Sequence, residues 1–346
     1  MTNGTNMRGA QSSLSPRLPT VALAEEGGEP ACSSSLSLGV EDRQAGVRVR
    51  GPSPQSSPSG RGISERWQSL LRQHLATAKR PILVILGPTA SGKTAFSLEM
   101  AKWIEKFPLP SEGRGQGEGC MEIINADSRQ LYKYMDIGTA KRPSPQSSPH
   151  GRGRVRIPHH LFSVLDPKEK VTVGWYKKEA ERVIDDVLSR GSVPILVGGS
   201  MLYISAVTDG YVFTGRGGKR VAPVPYDTLI FGMQWPRGEL VKRIEERTKK
   251  LLGLPPSPAA AGEGTGERDT WLQEVSWLLA HGYKTSDPGM ESCGYREIAE
   301  WIRSGKKEEL FPSIMERINA ATRQYAKRQM TWWRHDKRIH WISFSL

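Results

Sequence analysis

Cysteine is scarce in this chain of 346 residues, which contains only Cys32, Cys120 and Cys293. Three scattered cysteines form neither a disulfide framework nor a zinc cluster, and they indicate a reducing compartment. No apolar run approaches the length that crosses a bilayer, and the short run at residues 21–24 is too brief for the core of a signal peptide. We therefore expect a cytoplasmic protein with no membrane partner.

Apolar residues are also scarce at the start of the chain, where Ser, Gly, Pro and Arg dominate residues 1–62. Such a segment buries too little surface to offset its chain entropy, so we predict that it is disordered and that the folded domain covers residues 63–346. Its final stretch, PSPQSSPSGRG, recurs with one change as PSPQSSPHGRG. Because loop-closure cost grows slowly with length, we interpret the related low-complexity stretches as surface-loop insertions at 108–119, 142–154 and 255–268.

Acidic residues are fewer than basic ones, since 36 Asp and Glu stand against 49 Lys and Arg, giving a formal net charge of +13. An excess of this size favours a polyanionic partner such as a nucleic acid. The N-terminal segment accounts for only part of the excess. The end of the chain contributes further cations, namely Arg323, Lys327, Arg328, Arg334, Lys337 and Arg338.

Short apolar runs alternate with amphipathic stretches through the rest of the chain. The runs predict strands at 82–86, 121–125, 193–197, 228–233 and 339–343. The amphipathic stretches predict helices at 93–107, 175–190, 200–207, 238–252, 270–281, 291–304 and 312–335. This alternation predicts an α/β fold, a P-loop NTPase-like parallel sheet flanked by helices, with a helical C-terminal region and with ligands at the carboxyl ends of the strands.

A complete phosphate-binding loop lies between the first predicted strand and the first predicted helix. Its residues are Gly87, Pro88, Thr89, Ala90, Ser91, Gly92, Lys93 and Thr94. Glycines let backbone N–H groups face phosphate oxygens, Lys93 adds a positive charge, and the hydroxyl of Thr94 can hold Mg²⁺. The loop predicts binding of a di- or triphosphate group that belongs either to a nucleotide or to another pyrophosphate ester.

Asp127 follows the second predicted strand by one residue, which places it at the same edge of the sheet as the phosphate loop. Its carboxylate could be a metal ligand, a helix cap or a general base. The third predicted strand runs into Gly-Gly-Ser and supplies no acidic residue to complete the Mg²⁺ site of a nucleotide hydrolase. The sequence therefore argues against cleavage of a phosphoanhydride.

Seven motifs follow one another between residues 81 and 342. They are GPTASGKT (87–94), NADSRQLY (125–132), MDIGTAK (135–141), PHHL (158–161), VGGSMLY (197–203), GYRE (294–297) and TRQYAKRQMTW (322–332). In this order they resemble the motifs of the tRNA dimethylallyltransferases, also called isopentenylpyrophosphate tRNA transferases. The resemblance implies transfer of a dimethylallyl group from dimethylallyl diphosphate to N6 of the adenosine 3′ to the anticodon in tRNA. We expect a monomer that binds this diphosphate, the tRNA anticodon stem-loop and Mg²⁺.

The implied reaction assigns roles to the phosphate loop and to Asp127. An allylic carbon ionises toward a cation, so the loop amides, Lys93 and Thr94 with Mg²⁺ would stabilise the departing diphosphate. Thr89 resembles the family threonine that contacts the bridging oxygen, and Asp127 is the candidate base for the adenine amine. Arg243, with an arginine four residues further on, is either a second clamp on the diphosphate or part of a solvated basic face.

The resemblance also implies RNA contacts in four segments of the chain. The candidate RNA-binding residues are Asp127, Ser128, Arg129 and Gln130, then Ser200, then Cys293, Gly294, Tyr295 and Arg296, and finally Arg323, Gln324, Lys327 and Arg328. The last four share a predicted helix with Trp332 and Trp333, whose rings could stack on bases. The competing interpretation is that the tryptophans lie in a core and the charges in water.

The family pattern is incomplete in one place. Family members carry a helical insertion that grips the anticodon arm after the segment matching 201–210, whereas only residues 211–226 precede the next strand here. This difference keeps an adenylate isopentenyltransferase open, with a free nucleotide as acceptor. A non-catalytic RNA-binding protein and a P-loop small-molecule kinase are two further functions compatible with the sequence.

Overall fold

The strands at the centre of the sheet are buried along their whole length. In the computed structural model, which describes residues 60–104, 121–141, 157–213, 219–254 and 270–344, six strands pair in parallel. They are β1 Pro81–Leu86, β2 Met121–Asn125, β3 His159–His160, β4 Val193–Gly198, β7 Asp227–Gln234 and β8 Ile339–Ser343. Every residue of β1, β2 and β4 is buried, as expected at the centre of a parallel sheet.

The strand order, β3-β2-β4-β1-β7-β8, fixes where the loops meet. Leu86 pairs with Gly198 of β4, and Asn125 of β2 pairs with Val197. The carboxyl ends of these three strands therefore lie at one edge of the sheet. The phosphate loop follows β1, Asp127 follows β2, and β4 lies between them. The predicted α/β fold with a parallel sheet is confirmed.

Eight helices are found in the described part of the chain. They are α1 Gly60–Thr77, α2 Lys93–Ile104, α3 Val173–Ser189, α4 Met201–Thr208, α5 Arg237–Leu251, α6 Trp271–Ala280, α7 Tyr295–Arg303 and α8 Phe311–Trp333. A short 3-10 helix, Glu308–Leu310, precedes α8, and a small antiparallel hairpin joins β5 Tyr211–Phe213 to β6 Lys219–Val221.

The two faces of the sheet bury separate cores. Alternate residues of a strand point to opposite faces, so Leu83 and Ile85 of β1 pack with α1 and α2, where Trp67 and Phe96 are buried. Val84 belongs to the larger core, which α3, α4 and α6 to α8 complete. Helices α6 to α8 of the C-terminal region thus cover the face of the sheet that carries the larger core. From this face they support the loops at the strand ends.

The observed helices and strands differ from the predicted ones in three places. Helix α1 was not predicted, and because it begins at Gly60, residues 60–62 are helical rather than disordered. Helix α7 begins at Tyr295, four residues later than predicted, because Gly294 starts it with a φ of 94° that an ordinary residue rarely adopts. Strand β3 and the β5–β6 hairpin were missed because two- and three-residue strands show no periodicity.

Some sequence predictions fall outside the described residues. They concern residues 1–59 and the proposed loop insertions at 108–119, 142–154 and 255–268. No helix of the described chain has the length and apolar character needed to span a membrane.

Candidate active site

The phosphate loop leaves β1 through backbone conformations that favour glycine. Gly87 has a φ of 148°, and a Cβ there would lie 3.0 Å from the Cβ of Met233, so a larger residue would displace the loop from β7. The ammonium group of Lys93 folds back across the loop and donates to the carbonyl oxygens of Gly87 at 3.0 Å and Pro88 at 2.8 Å. A positive charge is therefore held in the concave side of the loop.

Side chains from distant elements hold the loop in place. Arg243 of α5 donates its Nε to the carbonyl oxygen of Ala90 at 2.9 Å and lies 4.1 Å from the ring of Trp235. Trp235 in turn donates its Nε1 to the carbonyl oxygen of Ser91 at 2.9 Å. Arg247 donates to the hydroxyl of Thr89. Arg243 and Arg247 thus contact the loop and do not form a solvated face, while the role of Arg243 as a diphosphate clamp stays a prediction.

The loop concentrates positive charge in a partly dehydrated site. Burial lowers the pKa of Lys93 to about 8, with the charge of Asp127 opposing the shift and that of Arg247 adding to it. Burial also lowers the pKa of Arg247, again against the charge of Asp127. Two cations beside one carboxylate leave net positive charge, which an anionic group would neutralise.

Asp127 is oriented by its own neighbours. The side chain of Asn125 accepts the N–H of Asp127 at 2.8 Å and donates to its carbonyl oxygen at 3.0 Å. One carboxylate oxygen of Asp127 accepts the N–H of Arg129 at 3.0 Å. Residues 128–130 form a turn and no helix begins there, so the helix-cap role offered for Asp127 is wrong, and the carboxylate instead closes this turn. The other carboxylate oxygen leaves capacity for an additional partner, and the side chain lines the same cavity as Thr89.

The segment after β4 separates the loop from Asp127. A Cβ on Gly198 would lie 2.1 Å from the backbone of Ala126, and one on Gly199 would lie 2.3 Å from Nε2 of Gln329. Gln329 of α8 donates to the carbonyl oxygen of Gly199 at 2.7 Å and accepts the N–H of Thr89 at 3.0 Å. This glutamine therefore joins α8, the β4 end and the phosphate loop.

The cavity beside these residues encloses about 90 Å³, enough for several water molecules. Its charged side includes Asp127, Arg129 and Arg247, next to the hydroxyl residue Thr89. Further polar lining residues are Thr139, Thr248, Ser292, Cys293 and Thr322. Its other walls are largely apolar or aromatic, and they include Ile244, Leu251, Trp271, Tyr295, Ile318 and Tyr325. The arrangement suits a ligand with an anionic group at one end and a short hydrocarbon chain at the other.

A buried carboxylate fixes the loop that forms one rim of the cavity. Glu274 of α6 accepts the backbone N–H groups of Asp136 and Ile137 at 2.7 Å each and of Gly138 at 3.1 Å. It also accepts the hydroxyl of Tyr295 at 2.6 Å. Burial raises the pKa of Glu274, although all four hydrogen bonds oppose the shift. The motif at 135–141 is thereby pinned to α6.

Several residues predicted to contact RNA are buried and support the site from within. Ser200 accepts the N–H of Ser128 at 2.8 Å and is 7 % exposed. Tyr295 is fully buried with its hydroxyl on Glu274, and Gly294 packs on the ring of Trp271. The side chains of Ser200 and Tyr295 are therefore occupied by protein partners, and their contact with RNA stays a prediction. Both side chains position neighbouring residues.

Additional residues predicted to contact RNA line the cavity or are next in sequence to residues that line it. Arg129 donates to the carbonyl oxygen of Pro288 at 3.2 Å, and Gln130 donates to that of Thr139 at 3.0 Å. Cys293 and Arg296 are exposed. Arg129 and Cys293 line the same cavity as Asp127, and the contact of all four residues with RNA stays a prediction.

Helix α8 presents a mixed outer face. Gln324, Lys327 and Arg328 are exposed, whereas Arg323 is paired with Glu316 at 2.6 Å. Trp332 is 45 % exposed.

Trp333 is 3 % exposed, so the prediction that both tryptophans could stack on bases is wrong for Trp333. No local pattern in the sequence singled out Gln329, Trp271 or Glu274. Each acts through contacts with residues that are distant along the chain.

A phosphate-binding motif at the edge of a parallel sheet, beside a carboxylate and a partly apolar cavity, defines the class of α/β protein with a candidate site at the strand ends. The family model described as IPP transferase matches residues 130–221 and 212–336, and the chain belongs to this family, as the motifs predicted.

The relatives agree with that assignment. The tRNA dimethylallyltransferase of Geobacter metallireducens is 32 % identical over 77 % of this chain and 93 % of its own length. That of Moorella thermoacetica is 32 % identical over 77 % of this chain and 90 % of its own length. The crystal structure of the tRNA delta(2)-isopentenylpyrophosphate transferase from Staphylococcus epidermidis matches with a TM-score of 0.59 at 27 % identity, covering 77 % of this chain and 93 % of that one.

Proposed function

We propose that this protein transfers a dimethylallyl group from dimethylallyl diphosphate to N6 of the adenosine 3′ to the anticodon in tRNA. The observation that carries the proposal is the shared cavity of Thr89 and Asp127, with apolar walls beside them. A kinase would need a carboxylate for Mg²⁺ at the end of β4, where the chain has Gly198, Gly199 and Ser200. The apolar part of the cavity wall would have no role in phosphate transfer by a kinase.

The proposed reaction is a single displacement at the allylic carbon. The C1–O bond of the donor breaks, with its electron pair leaving on the diphosphate, and a bond forms between C1 and adenine N6. The proton on N6 passes to the free carboxylate oxygen of Asp127. General-base assistance of this kind contributes on the order of 10² to 10⁴ in rate. Lys93 and Thr89, whose hydroxyl is held by Arg247, would bind the departing diphosphate.

The strand order leaves room for these groups in a line. Because β4 lies between β1 and β2, the strand ends that lead into the phosphate loop and into Asp127 are two strand spacings apart, or roughly 10 Å. A hydrogen bond from N6 to the base takes about 3 Å, and an attacking N6 lies about 3 Å from C1. The remaining distance accommodates the C1–O bond and the first phosphorus.

Mg²⁺ is the proposed cofactor, and Thr94 is the residue that would hold it. The hydroxyl lies in the first turn of α2 and the residue is exposed at the loop. Mg²⁺ typically takes one or two protein oxygens and completes its shell with phosphates and water, so one hydroxyl at the loop fits. The described residues contain no cluster of three or more His, Cys, Asp and Glu side chains. The ion would supply charge that stabilises the leaving diphosphate.

RNA is the proposed acceptor because the two helices that supply Tyr295 and Tyr325 to the cavity also carry exposed cations. The net charge is +13, and Lys327 and Arg328 are exposed on α8 while Arg296 is exposed on α7. Cations of this kind bind phosphates along a nucleic-acid backbone. We also propose that the protein acts as a monomer in the cytoplasm.

A comparison of acceptors tests the proposal. The purified full chain is incubated with labelled dimethylallyl diphosphate, Mg²⁺ and one of three acceptors: an unmodified anticodon stem-loop, the same stem-loop with guanosine at the target position, or AMP. We expect prenylated adenosine from the first alone. Prenylation of AMP at an equal rate would establish a free-nucleotide enzyme. Transfer of the γ-phosphate of ATP to a small acceptor, without prenylation of any of the three acceptors, would establish a kinase.

A further inference from the structure

One face of α5 leads away from the phosphate loop. Ile244, Arg247, Thr248 and Leu251 all line the cavity, and their spacing of three and four residues places them on the same side of the helix. The path begins where Arg247 holds the hydroxyl of Thr89. At the helical rise, Leu251 lies about 6 Å further along the axis than Arg247. A surface of that length thus extends from the loop, with Thr248 between the charged end at Arg247 and the apolar end at Leu251.

Trp271 closes the far end of this path. Helix α6 begins beside the end of α5, since a Cβ on Gly253 would lie 2.5 Å from Cγ2 of Thr270. Trp271 is 3 % exposed and lines the cavity. Its ring cannot retreat, because a Cβ on Gly138 or on Gly294 would lie 2.0 Å from indole atoms. The backbone is therefore in direct contact with the indole on both sides.

The indole of Trp271 affects the cavity through its shape. Its Nε1 is buried and has no hydrogen-bond partner among the described residues. A tryptophan that only supported the fold could be placed elsewhere in the larger core, but this one is both packed between two glycines and exposed to the cavity. The side chain of Trp271 therefore forms a rigid wall of the cavity. Backbone holds the indole at two of its edges, and the residue also faces the ligand space.

We infer that Trp271 restricts the prenyl donor to a five-carbon chain, an inference that rests on the proposed function. At C–C bonds of about 1.5 Å, the four-carbon main chain of a dimethylallyl group spans about 4 Å and the eight-carbon main chain of a geranyl group about 9 Å. The path along α5 is about 6 Å long, so only the shorter chain fits. Both donors would undergo the same bond changes, with C1–O breaking, C1–N6 forming and the N6 proton passing to the base.

The test compares two donors in variants that lengthen or widen the path. Trp271→Leu removes most of the wall, and Leu251→Ala enlarges the same space from α5 should Trp271→Leu fail to fold. Each is assayed with dimethylallyl and geranyl diphosphate on the stem-loop, and the ratio of kcat/KM for geranyl over dimethylallyl is measured. We expect the ratio to rise about tenfold or more in a folded variant.

Trp67→Leu is the matched control. Trp67 is also 3 % exposed but lies in the other core, against Phe96 and Trp103, so its loss should leave the ratio unchanged. An unchanged ratio in a folded Trp271→Leu or Leu251→Ala protein, or an equal rise in Trp67→Leu, would overturn the inference. A wild-type protein that transfers no dimethylallyl group would instead refute the proposed function itself.

Discussion

The low pKa of Lys93 predicts that diphosphate binding takes up a proton. Burial lowers this pKa from 10.5 to about 8, so about nine-tenths of the ammonium groups are charged at pH 7 and about half at pH 8. A bound diphosphate stabilises the charged form, so at pH 8 binding should take up about half a proton per site. Calorimetry of inorganic diphosphate binding in buffers of different ionisation enthalpy measures this uptake.

The same shift predicts a rise in stability with pH. The unfolded lysine holds its proton up to its ordinary pKa of 10.5 and the folded one only up to about 8, so between these values the unfolded state binds more protons and stability increases with pH. Two units between pH 8 and 10 correspond to about 2–3 kcal/mol. The difference in unfolding free energy between wild type and Lys93→Met should change by that amount over this interval.

Lys102→Met provides the control for both measurements. Lys102 lies on the same helix and is exposed, so its substitution should alter neither the proton uptake nor the slope of stability against pH. If wild type and Lys93→Met take up the same number of protons at pH 8 and show parallel stability curves, Lys93 has an ordinary pKa. The reasoning about a partly dehydrated, cationic loop would then be wrong.

Four further substitutions test the site, each with its own measurement. Asp127→Asn should keep the hydrogen bond that closes the following turn but lower single-turnover prenylation about 10²- to 10⁴-fold, while diphosphate affinity should not fall because the site loses a negative charge. Gln329→Met should cost about 1–3 kcal/mol in urea denaturation and raise KM for the donor, because the N–H of Thr89 loses its buried acceptor. Glu274→Leu should cost at least about 3 kcal/mol, measured in the same way, because four donors lose their acceptor. Lys327→Gln should reduce the slope of log Kd for the stem-loop against log salt by about one.

The outcomes that count against these predictions differ. Full activity in Asp127→Asn excludes the carboxylate as the base. If the KM for the donor is the same in Gln329→Met as in the exposed control Gln324→Met, the phosphate loop is held without α8. Glu274→Gln retains an acceptor oxygen, so a loss equal to that of Glu274→Leu would mean that bulk, and not hydrogen bonding, decides. If the slope of log Kd for the stem-loop against log salt is the same in Lys327→Gln as in the wild type, the RNA does not contact Lys327.

The sheet and the edge that carries the site were predictable because their signals are local. Buried strands such as β1 and β4 are short apolar runs that end in glycine, and the phosphate loop has a fixed spacing between strand and helix. The rule that parallel strands end at one edge then brings Asp127 to the loop without knowledge of the strand order. The prediction of a common site needed no tertiary contact.

The side chains that support the site were not predictable from local patterns. Gln329 contacts Thr89 at a sequence separation of 240 residues, and Glu274 contacts Asp136 at 138 residues. In the sequence each is one polar residue on an amphipathic helix, where exposure is the ordinary expectation. Helix α1 was missed for a different reason, since its buried Trp67, Leu71 and Leu75 directly follow a low-complexity stretch that suggested disorder.

The position of Gly199 explains why the donor loop and the proposed RNA-binding helix share one support. Tyr325 and Gln329, one turn apart on the inner side of α8, both donate to the carbonyl oxygen of Gly199. Gln329 also accepts the N–H of Thr89, while Arg328, its neighbour, is exposed on the outer side. Because a side chain at position 199 would displace the glutamine, only glycine allows α8 to approach this closely. A movement of α8 on binding RNA would thus change the position of Thr89 through two buried hydrogen bonds.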